Sequence, residues 1–400
     1  MVVNAGLWSI LGSLFEKILM LATYVIVSRE VTPVEFGYLV LVLLIIELMG
    51  YVAGFGVGEN IIRKKVVSDL FMANSFYFVC YVSLALVVTL LVIVAPVSYL
   101  VSGDGLAILV LLMALYPALT TFSGFYLAIL QRDMRFKEIA YRTVVISIIS
   151  GMVGIALALS GAGVLSLVAA RYAYSIIDLL ILRHLTHFSP SARIDRKELS
   201  GIYDFGWKIS AAQLLNFSNS RVYEIFVTAL FGPAYLAMLD VGRKFIMTFY
   251  RVILTPLNNV CLSYLSKADN PAVAYLNFSR VVGLVVVPVA AGMGALSKPL
   301  VLMFFGVQWD DSSVVLMLLS FGSVVQVTAW FLPGLVISLG YSNMVLAIQA
   351  ITGVTLCLSG AMGVILFDSF LMLIACLVIG LFISSFICIF VFRNFYVLVN

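Results

Sequence analysis

Lys208, Arg221, Glu224, Asp240, Arg243, Lys244 and Arg251 lie in stretches otherwise rich in Leu, Ile, Val and Phe. On insertion scales a charged side chain at mid-bilayer costs about 2.5–3.5 kcal/mol, whereas each of those apolar residues returns about 0.3–0.6 kcal/mol. A helix over residues 206–230 is therefore expected to line protein or water rather than hydrocarbon on all sides. Asp240 and Lys244 stand at i and i+4 with Arg243 at i+3, so one carboxylate neutralises only one of two cations at a time. Lys244 and Arg251 are separated by two turns on nearly one face. Such a positive surplus suits an anion such as a phosphate or pyrophosphate, with Arg as a fork for its oxygens and Lys as a point charge.

The first half carries its own intramembrane charges: Glu16 beside Lys17, then Glu47, and Arg171 with Asp178 seven residues later. Ser9, Gly12, Ser13, Glu16 and Tyr24 recur at helical spacing, as do Gln213, Asn216, Ser220 and Glu224 in the second half. Two facing wet stripes would suit a cleft between helix bundles, and hydrogen bonding between neighbouring helices is the competing explanation for the neutral residues. Each charge outside the 221–251 group also has a structural alternative. Arg142, Lys208 and Arg280 could snorkel to the cytoplasmic interface. Arg171 and Asp178 could form an internal pair.

The elements that must position these groups are membrane helices. The chain has 400 residues, 63% of them hydrophobic and 10% charged, with a mean hydropathy of +1.16. That excludes a soluble domain, in which about 25% of residues are charged. About twelve segments near twenty residues long are predicted to span the bilayer, from 6–28 to 369–392. Charge interrupts those at 138–158, 206–230 and 234–262. The first span lacks a basic start and is too long for a cleavable signal, so it is expected to remain in the membrane. Basic residues such as Arg63, Lys64, Arg132, Arg135, Arg183 and Arg193 follow the even spans, which predicts that both termini are cytoplasmic. The net charge of +4 is assigned to this topology and not to nucleic-acid binding.

A polar loop over about 185–205 divides the chain into two predicted six-helix bundles, 1–190 and 191–400. Trp8 precedes Pro33 by much the same interval as Trp207 precedes Pro233, in keeping with a parallel repeat about an axis along the membrane normal. No nucleophile–base pair, paired carboxylates, metal constellation or Walker sequence is visible, so neither an enzyme nor direct use of ATP is expected, and no cofactor. His184 and His187 lack further ligands for a metal site. Cys80, Cys261, Cys357, Cys376 and Cys388 read as small buried apolar residues. Gly50, Gly54, Gly56 and Gly58 are assigned to close packing or a flexible helix end.

Several stretches carry a resemblance: Gly6-Leu7-Trp8-Ser9, Arg29-Glu30-Val31-Thr32-Pro33-Val34-Glu35-Phe36-Gly37-Tyr38, Gly54-Phe55-Gly56-Val57-Gly58, Leu130-Gln131-Arg132-Asp133-Met134-Arg135-Phe136, Gly232-Pro233 and Phe304-Phe305-Gly306-Val307-Gln308-Trp309. Together they resemble bacterial O-antigen and exopolysaccharide flippases. These form the polysaccharide transporter branch of the multidrug/oligosaccharidyl-lipid/polysaccharide (MOP) exporter superfamily. Some members have fourteen spans, and about twelve here would retain the shared core.

The resemblance implies an all-α protein with a V-shaped pair of bundles around a cationic central cavity. It implies transfer of an undecaprenyl-pyrophosphate-linked oligosaccharide, by alternating access, from the cytoplasmic to the periplasmic leaflet of a bacterial inner membrane. Combined with the charge pattern, it makes Lys17, Arg171, Arg221, Arg243, Lys244 and Arg251 the expected contacts for pyrophosphate and sugar acids. Gln213, Asn216 and Asn219 would bind sugar hydroxyls. Glu16, Glu47, Asp178, Glu224 and Asp240 would serve as counter-charges or in proton or cation coupling. The expected partners are the lipid-linked anionic glycan, membrane lipids and other polysaccharide-assembly proteins. A cation-coupled drug exporter of the same superfamily is the alternative, followed by a polymerase or ligase of the same pathway.

Overall fold

The computed structural model describes residues 16, 18–53, 56–64, 67–190, 196–250, 254, 257, 261, 264–265, 270–339, 341, 343–367 and 369–399. Within these, the side chains at 52–53, 196–200, 202, 204–205, 208, 212, 272, 325, 328, 343 and 393–399 are not described. The described chain is helical, with no strand. Eight described helices are long and apolar enough to cross a membrane: those within Pro33–Tyr51, Asp69–Ser102, Asp104–Arg132, Phe136–Leu159, Leu165–Thr186, Val273–Ala295, Met344–Leu366 and Phe370–Phe392. Apolar side chains such as Leu84, Leu100, Leu284, Ile365 and Phe386 point outward, where a bilayer is their natural solvent. Two further helices, Arg196–Phe231 and Pro233–Phe249, carry charges within their apolar runs, and Asp310–Trp330 is a third long helix whose charges, Asp310 and Asp311, lie in its first turn.

The chain divides into two compact units, Met1–Leu215 and Asn216–Asn400, with the boundary inside one helix. The first unit contains α1 (Ile18–Ser28), α2 (Pro33–Ala53), α3 (Val57–Arg63), α4 (Asp69–Thr89), α5 (Ala95–Ser102), α6 (Asp104–Met113), α7 (Tyr116–Arg132), α8 (Phe136–Leu159), α9 (Leu165–Thr186) and the start of α10 (Arg196–Phe231). Local chemistry sets their ends. Thr32 and Glu35 form a reciprocal capping box at the start of α2: the Thr32 hydroxyl donates to Glu35 Oε2 at 2.9 Å, and Glu35 N–H donates back to it at 3.4 Å. Ser68 accepts the Phe71 N–H at 3.1 Å and caps α4. Between α4 and α5 the helix widens into a π turn over Leu90–Val94, where Ala95 N–H reaches back to the Leu90 carbonyl. The widening relieves the clash that Pro96 would make in a regular helix.

Two apolar clusters hold this unit. One gathers Leu39, Val42, Leu90, Leu106, Val110 and Met113, and the other Val57, Ile61, Phe71, Phe125, Leu130 and Leu182. At Gly56 the backbone has φ +53°, and a Cβ would stand 2.5 Å from Ile209 Cδ1, so both conformation and space call for glycine. Gly151 and Gly154 on α8 admit Thr23 of α1 and Ala170 of α9, the small-residue packing expected of membrane helices.

The second unit contains the rest of α10, then α11 (Pro233–Phe249), α12 (Pro271–Ala295), α13 (Ser297–Phe304), α14 (Asp310–Trp330), α15 (Leu332–Ser338), α16 (Asn343–Leu366) and α17 (Phe370–Val399). Here α16 lies against α17, and α14 against α11, α12 and α17. Small residues set the approach: a Cβ on Gly242 of α11 would meet the Ser312 carbonyl at 2.7 Å, and one on Gly360 would meet the Phe226 ring at 2.6 Å.

The turn motifs named above act through backbone geometry. Gly232 (φ 83°) precedes Pro233 at the start of α11. Gly306 (φ 101°) turns the chain so that Phe305 and Trp309 are both fully buried. Met134 (φ 56°) lets Arg135 reach Glu138 with Nε at 2.8 Å and the Leu185 carbonyl with Nη1 at 2.9 Å, tying the α7–α8 turn to the end of α9. That bond to Glu138 raises the Arg135 pKa further above its ordinary value.

Candidate functional site

In the second unit, α10 and α11 bring three of the expected residues into one cluster. Glu224 Oε1 accepts from Arg221 Nη1 at 2.8 Å and also from Arg243 Nη1. Arg243 Nη2 donates to the Ser220 carbonyl at 3.0 Å, so its guanidinium bridges carboxylate and backbone. The side chain of Glu224 is 3% exposed, that of Arg243 14% and that of Arg221 25%. A carboxylate so deeply buried is tolerable only with charge-assisted partners. Within this trio one acid faces two guanidiniums, a formal surplus of one positive charge.

Beside it, Lys244 Nζ lies 4.0 Å from Asp240 Oδ2, a loose i, i+4 pair on α11. The competition between Arg243 and Lys244 for Asp240 is thus resolved by geometry. Arg243 turns to Glu224 on the neighbouring helix, and Lys244 stays near Asp240.

The first unit arranges charge differently. Arg142 Nη1 on α8 meets Asp178 Oδ1 on α9 at 3.1 Å, with side chains only 7% and 10% exposed. This corrects the expected snorkelling of Arg142, since α8 and α9 pack side by side and bring the two residues to one level inside the unit. It also corrects the internal pairing expected for Arg171 and Asp178: seven residues on one helix separate two side chains by a rise of about 10.5 Å. Among the described residues no carboxylate pairs with Arg171, which is half-buried. One turn before Asp178, the Tyr174 hydroxyl donates to Glu16 Oε1 at 3.4 Å, and the Tyr51 hydroxyl donates to Glu47 Oε1 at 3.2 Å.

The remaining residues are dispersed. Gln213 Nε2 lies 3.4 Å from Glu59 Oε1, and Asn216 is exposed. Asn219 Nδ2 donates to the Gln349 carbonyl at 3.0 Å and sits directly over Gly353, so its amide is engaged in seating α10 on α16. Lys17, Lys208 and Arg251 lie outside the residues whose side chains are described. His184 and His187 meet edge to face with ring centroids 5.6 Å apart, and no metal-binding group of three or more His, Cys, Asp or Glu occurs among the described residues. All five thiols are free; Cys261 and Cys388 are buried, whereas Cys357 is exposed, contrary to the burial expected of every cysteine. Sequence reasoning placed Arg142 at the interface and passed over Tyr51 and Tyr174. For Arg142 and Tyr174 a partner on another helix was the missing signal, and periodicity within one helix does not carry it.

Comparison with known proteins agrees with this architecture. The family model described as "Polysaccharide biosynthesis protein" matches residues 26–314. The succinoglycan biosynthesis transport protein ExoT of Rhizobium meliloti (strain 1021) is 22% identical over 326 residues, covering 79% of this chain and 65% of the relative. The lipopolysaccharide biosynthesis protein WzxC of Escherichia coli (strain K12) is 20% identical over 343 residues, covering 79% and 66%. The chain thus spans about two thirds of the length of these curated relatives.

Among solved structures, the lipid II flippase MurJ in an inward closed conformation superposes with a TM-score of 0.78 at 15% identity, covering 97% of this chain and 87% of that one. An inward-facing multidrug resistance MATE family transporter of the MOP superfamily gives 0.76 at 15% identity, covering 95% and 94%. The fold is that of these transporters, and on the family match over most of its length the chain belongs to the polysaccharide biosynthesis protein family.

Proposed function

We propose that this protein is a flippase that moves an undecaprenyl-pyrophosphate-linked oligosaccharide, an O-antigen or exopolysaccharide repeat unit, from the cytoplasmic to the periplasmic leaflet of a bacterial inner membrane. The observation that carries this reading is the Arg221–Glu224–Arg243 cluster, which keeps a net positive charge inside helices that a membrane would otherwise require to be apolar. A diphosphate dragged through hydrocarbon loses its hydration without compensation, and fixed guanidiniums replace that hydration. The similarity to ExoT, a succinoglycan biosynthesis transport protein, to WzxC, a lipopolysaccharide biosynthesis protein, and to the lipid II flippase MurJ supports a cargo of this class.

In this reading about twelve spans form two six-helix bundles, 1–190 and 191–400, with both termini cytoplasmic, and the cargo is exposed to each side in turn by alternating access. Arg221, Arg243 and Lys244, with Arg171, Lys17 and Arg251, attract the diphosphate and sugar acids. Gln213 and Asn216 hydrogen-bond the glycan, whereas Asn219 is held in the α10–α16 interface. Asp178 and Asp240 are counter-charges, and Glu16 and Glu47, each bonded by a tyrosine, exchange a proton or cation.

The test is a vesicle assay with the purified protein and a defined polyprenyl-diphosphate glycan, scored by accessibility of the glycan on the far leaflet. Protein-dependent transfer that falls sharply in Arg221→Ala is expected. Absence of transfer for every such lipid would sink the reading.

A further inference from the structure

Arg171 of the first unit is an intramembrane guanidinium that no carboxylate holds among the described residues, and its surroundings are aromatic. The outward side of α9 carries the exposed Leu165, Ile176 and Leu180. At about 100° of rotation per residue, Arg171 lies on the opposite side. There it is in line with Ser175, Asp178 and Leu182, all buried. Arg171 itself is only half-buried. Accessible surface on the inward side of a membrane helix marks a recess in the protein, and a cation is retained in such a place by water or by an anion.

Three tyrosines frame that recess. Tyr172 and Tyr174 flank the Arg171 direction on α9, one on each side. The Tyr172 ring meets the ring of Tyr116 on α7 edge to face, with centroids 6.3 Å apart, and its hydroxyl donates to the Leu112 carbonyl at 2.6 Å. Tyr174 is within electrostatic reach of Tyr116 as well, and its hydroxyl donates to Glu16. A residue that reaches both flanks of Arg171 stands before the guanidinium. The Arg171 guanidinium and the Tyr116 hydroxyl make no hydrogen bond or ion pair among the described residues.

Resting on the glycolipid-cargo reading above, we infer that this recess is a subsite for an acidic sugar of the glycan: the Arg171 guanidinium takes the sugar's carboxylate and the Tyr116 ring packs on the C–H face of the pyranose. The chemistry matches part by part. One unmatched positive charge balances one carboxylate, and the guanidinium fork meets its two oxygens with parallel N–H···O bonds. No acid has to be displaced first. Tyrosine joins an apolar ring, suited to the C–H face of a sugar, to a hydroxyl that donates to or accepts from the sugar's own hydroxyls. A bare diphosphate would leave that aromatic wall unused. The recess therefore adds to the cargo a chemical class, a glycan that bears a carboxylate.

The test uses the full-length protein in the vesicle assay with two polyprenyl-diphosphate disaccharides, glucose–glucuronic acid and glucose–glucose. They share lipid, diphosphate and first sugar. Wild type is expected to transfer the acidic glycolipid with a kcat/KM about tenfold higher, as one charge-assisted pair supplies. Arg171→Gln is expected to erase most of that preference, and Arg171→Lys, which keeps the charge without the fork, about half of it. Tyr116→Ala is expected to raise KM for both glycolipids.

Equal transfer of the two glycolipids by wild type overturns the inference and leaves the cargo reading standing. So does an Arg171→Gln variant that keeps the preference or loses both activities in equal proportion, which would assign Arg171 to the shared diphosphate or to the fold. If Arg171→Gln does not accumulate, Arg171→Lys decides: a preference equal to that of wild type overturns the subsite. Wild-type protein that transfers neither glycolipid removes the cargo reading itself.

Discussion

Each unit buries an arginine against a carboxylate, but the first sets one guanidinium on one acid and the second sets two guanidiniums on one acid. Arg142 and Asp178 are both nearly inaccessible, and together they are neutral. In the second unit Arg221 keeps a quarter of its side chain exposed, and within the Arg221–Glu224–Arg243 trio the charges do not cancel. Desolvating a pair is tolerable when its charges match, and the gain is positional, because α8 is keyed to α9. Desolvating an unmatched group is costly and persists only where function requires it. Stoichiometry and exposure, more than the presence of charge, separate a structural ion pair from a candidate binding site.

The largest expected effect tests the closed pair. Asp178→Leu strands Arg142 in the interior and is expected to lower stability by about 3–5 kcal/mol, read as a fall in Tm or loss of monodisperse protein in detergent. Arg142→Leu combined with Asp178→Leu should recover most of that loss. A double variant as damaged as the single one would show that the pair is part of a larger network.

Arg221→Ala tests the open cluster, and its signature is the reverse. Because Arg243 still holds Glu224, thermal stability should change little. Glycolipid transfer should fall roughly tenfold to a hundredfold, the worth of one charge-assisted hydrogen bond of about 1.5–3 kcal/mol. A large loss of Tm would reduce the cluster to another structural pair.

Gly353→Ala probes the scaffold beneath the second cluster. Its methyl group collides with Asn219, whose amide ties α10 to Gln349, and a destabilisation of about 1–3 kcal/mol is expected from overpacking. Adding Asn219→Ala should relieve the clash. The smallest effect belongs to Lys298→Ala, which removes a 3.4 Å contact with Asp310 whose side chains are 65% and 49% exposed. Solvent screening limits it to under about 0.5 kcal/mol, within the error of a Tm measurement.

Hydropathy and charge alone located the long helices, and the turns at Pro33, Gly232-Pro233 and Gly306 are legible because each relies on a residue with few conformational alternatives. The surplus of positive charge near Arg243 was legible too, since i, i+3 and i, i+4 neighbours are forced by the helix itself. The partners were not. Asp178 had Arg171 on its own helix as the visible choice, yet it is met by Arg142 from the next one. Asn219 carried the signal of a glycan-binding amide, and its side chain is committed to a backbone carbonyl across a helix interface.

By itself, then, the sequence determined that this chain is a bundle of membrane helices and that Glu224, Arg221 and Arg243 cannot lie in lipid, because both follow from transfer energies that each residue carries with it. Only the tertiary structure decided which charges cancel, which amides are engaged and which guanidinium remains accessible. Those outcomes depend on the level and rotation at which separate helices meet, and short-range ion pairs and hydrogen bonds are lost over a displacement of one helical turn.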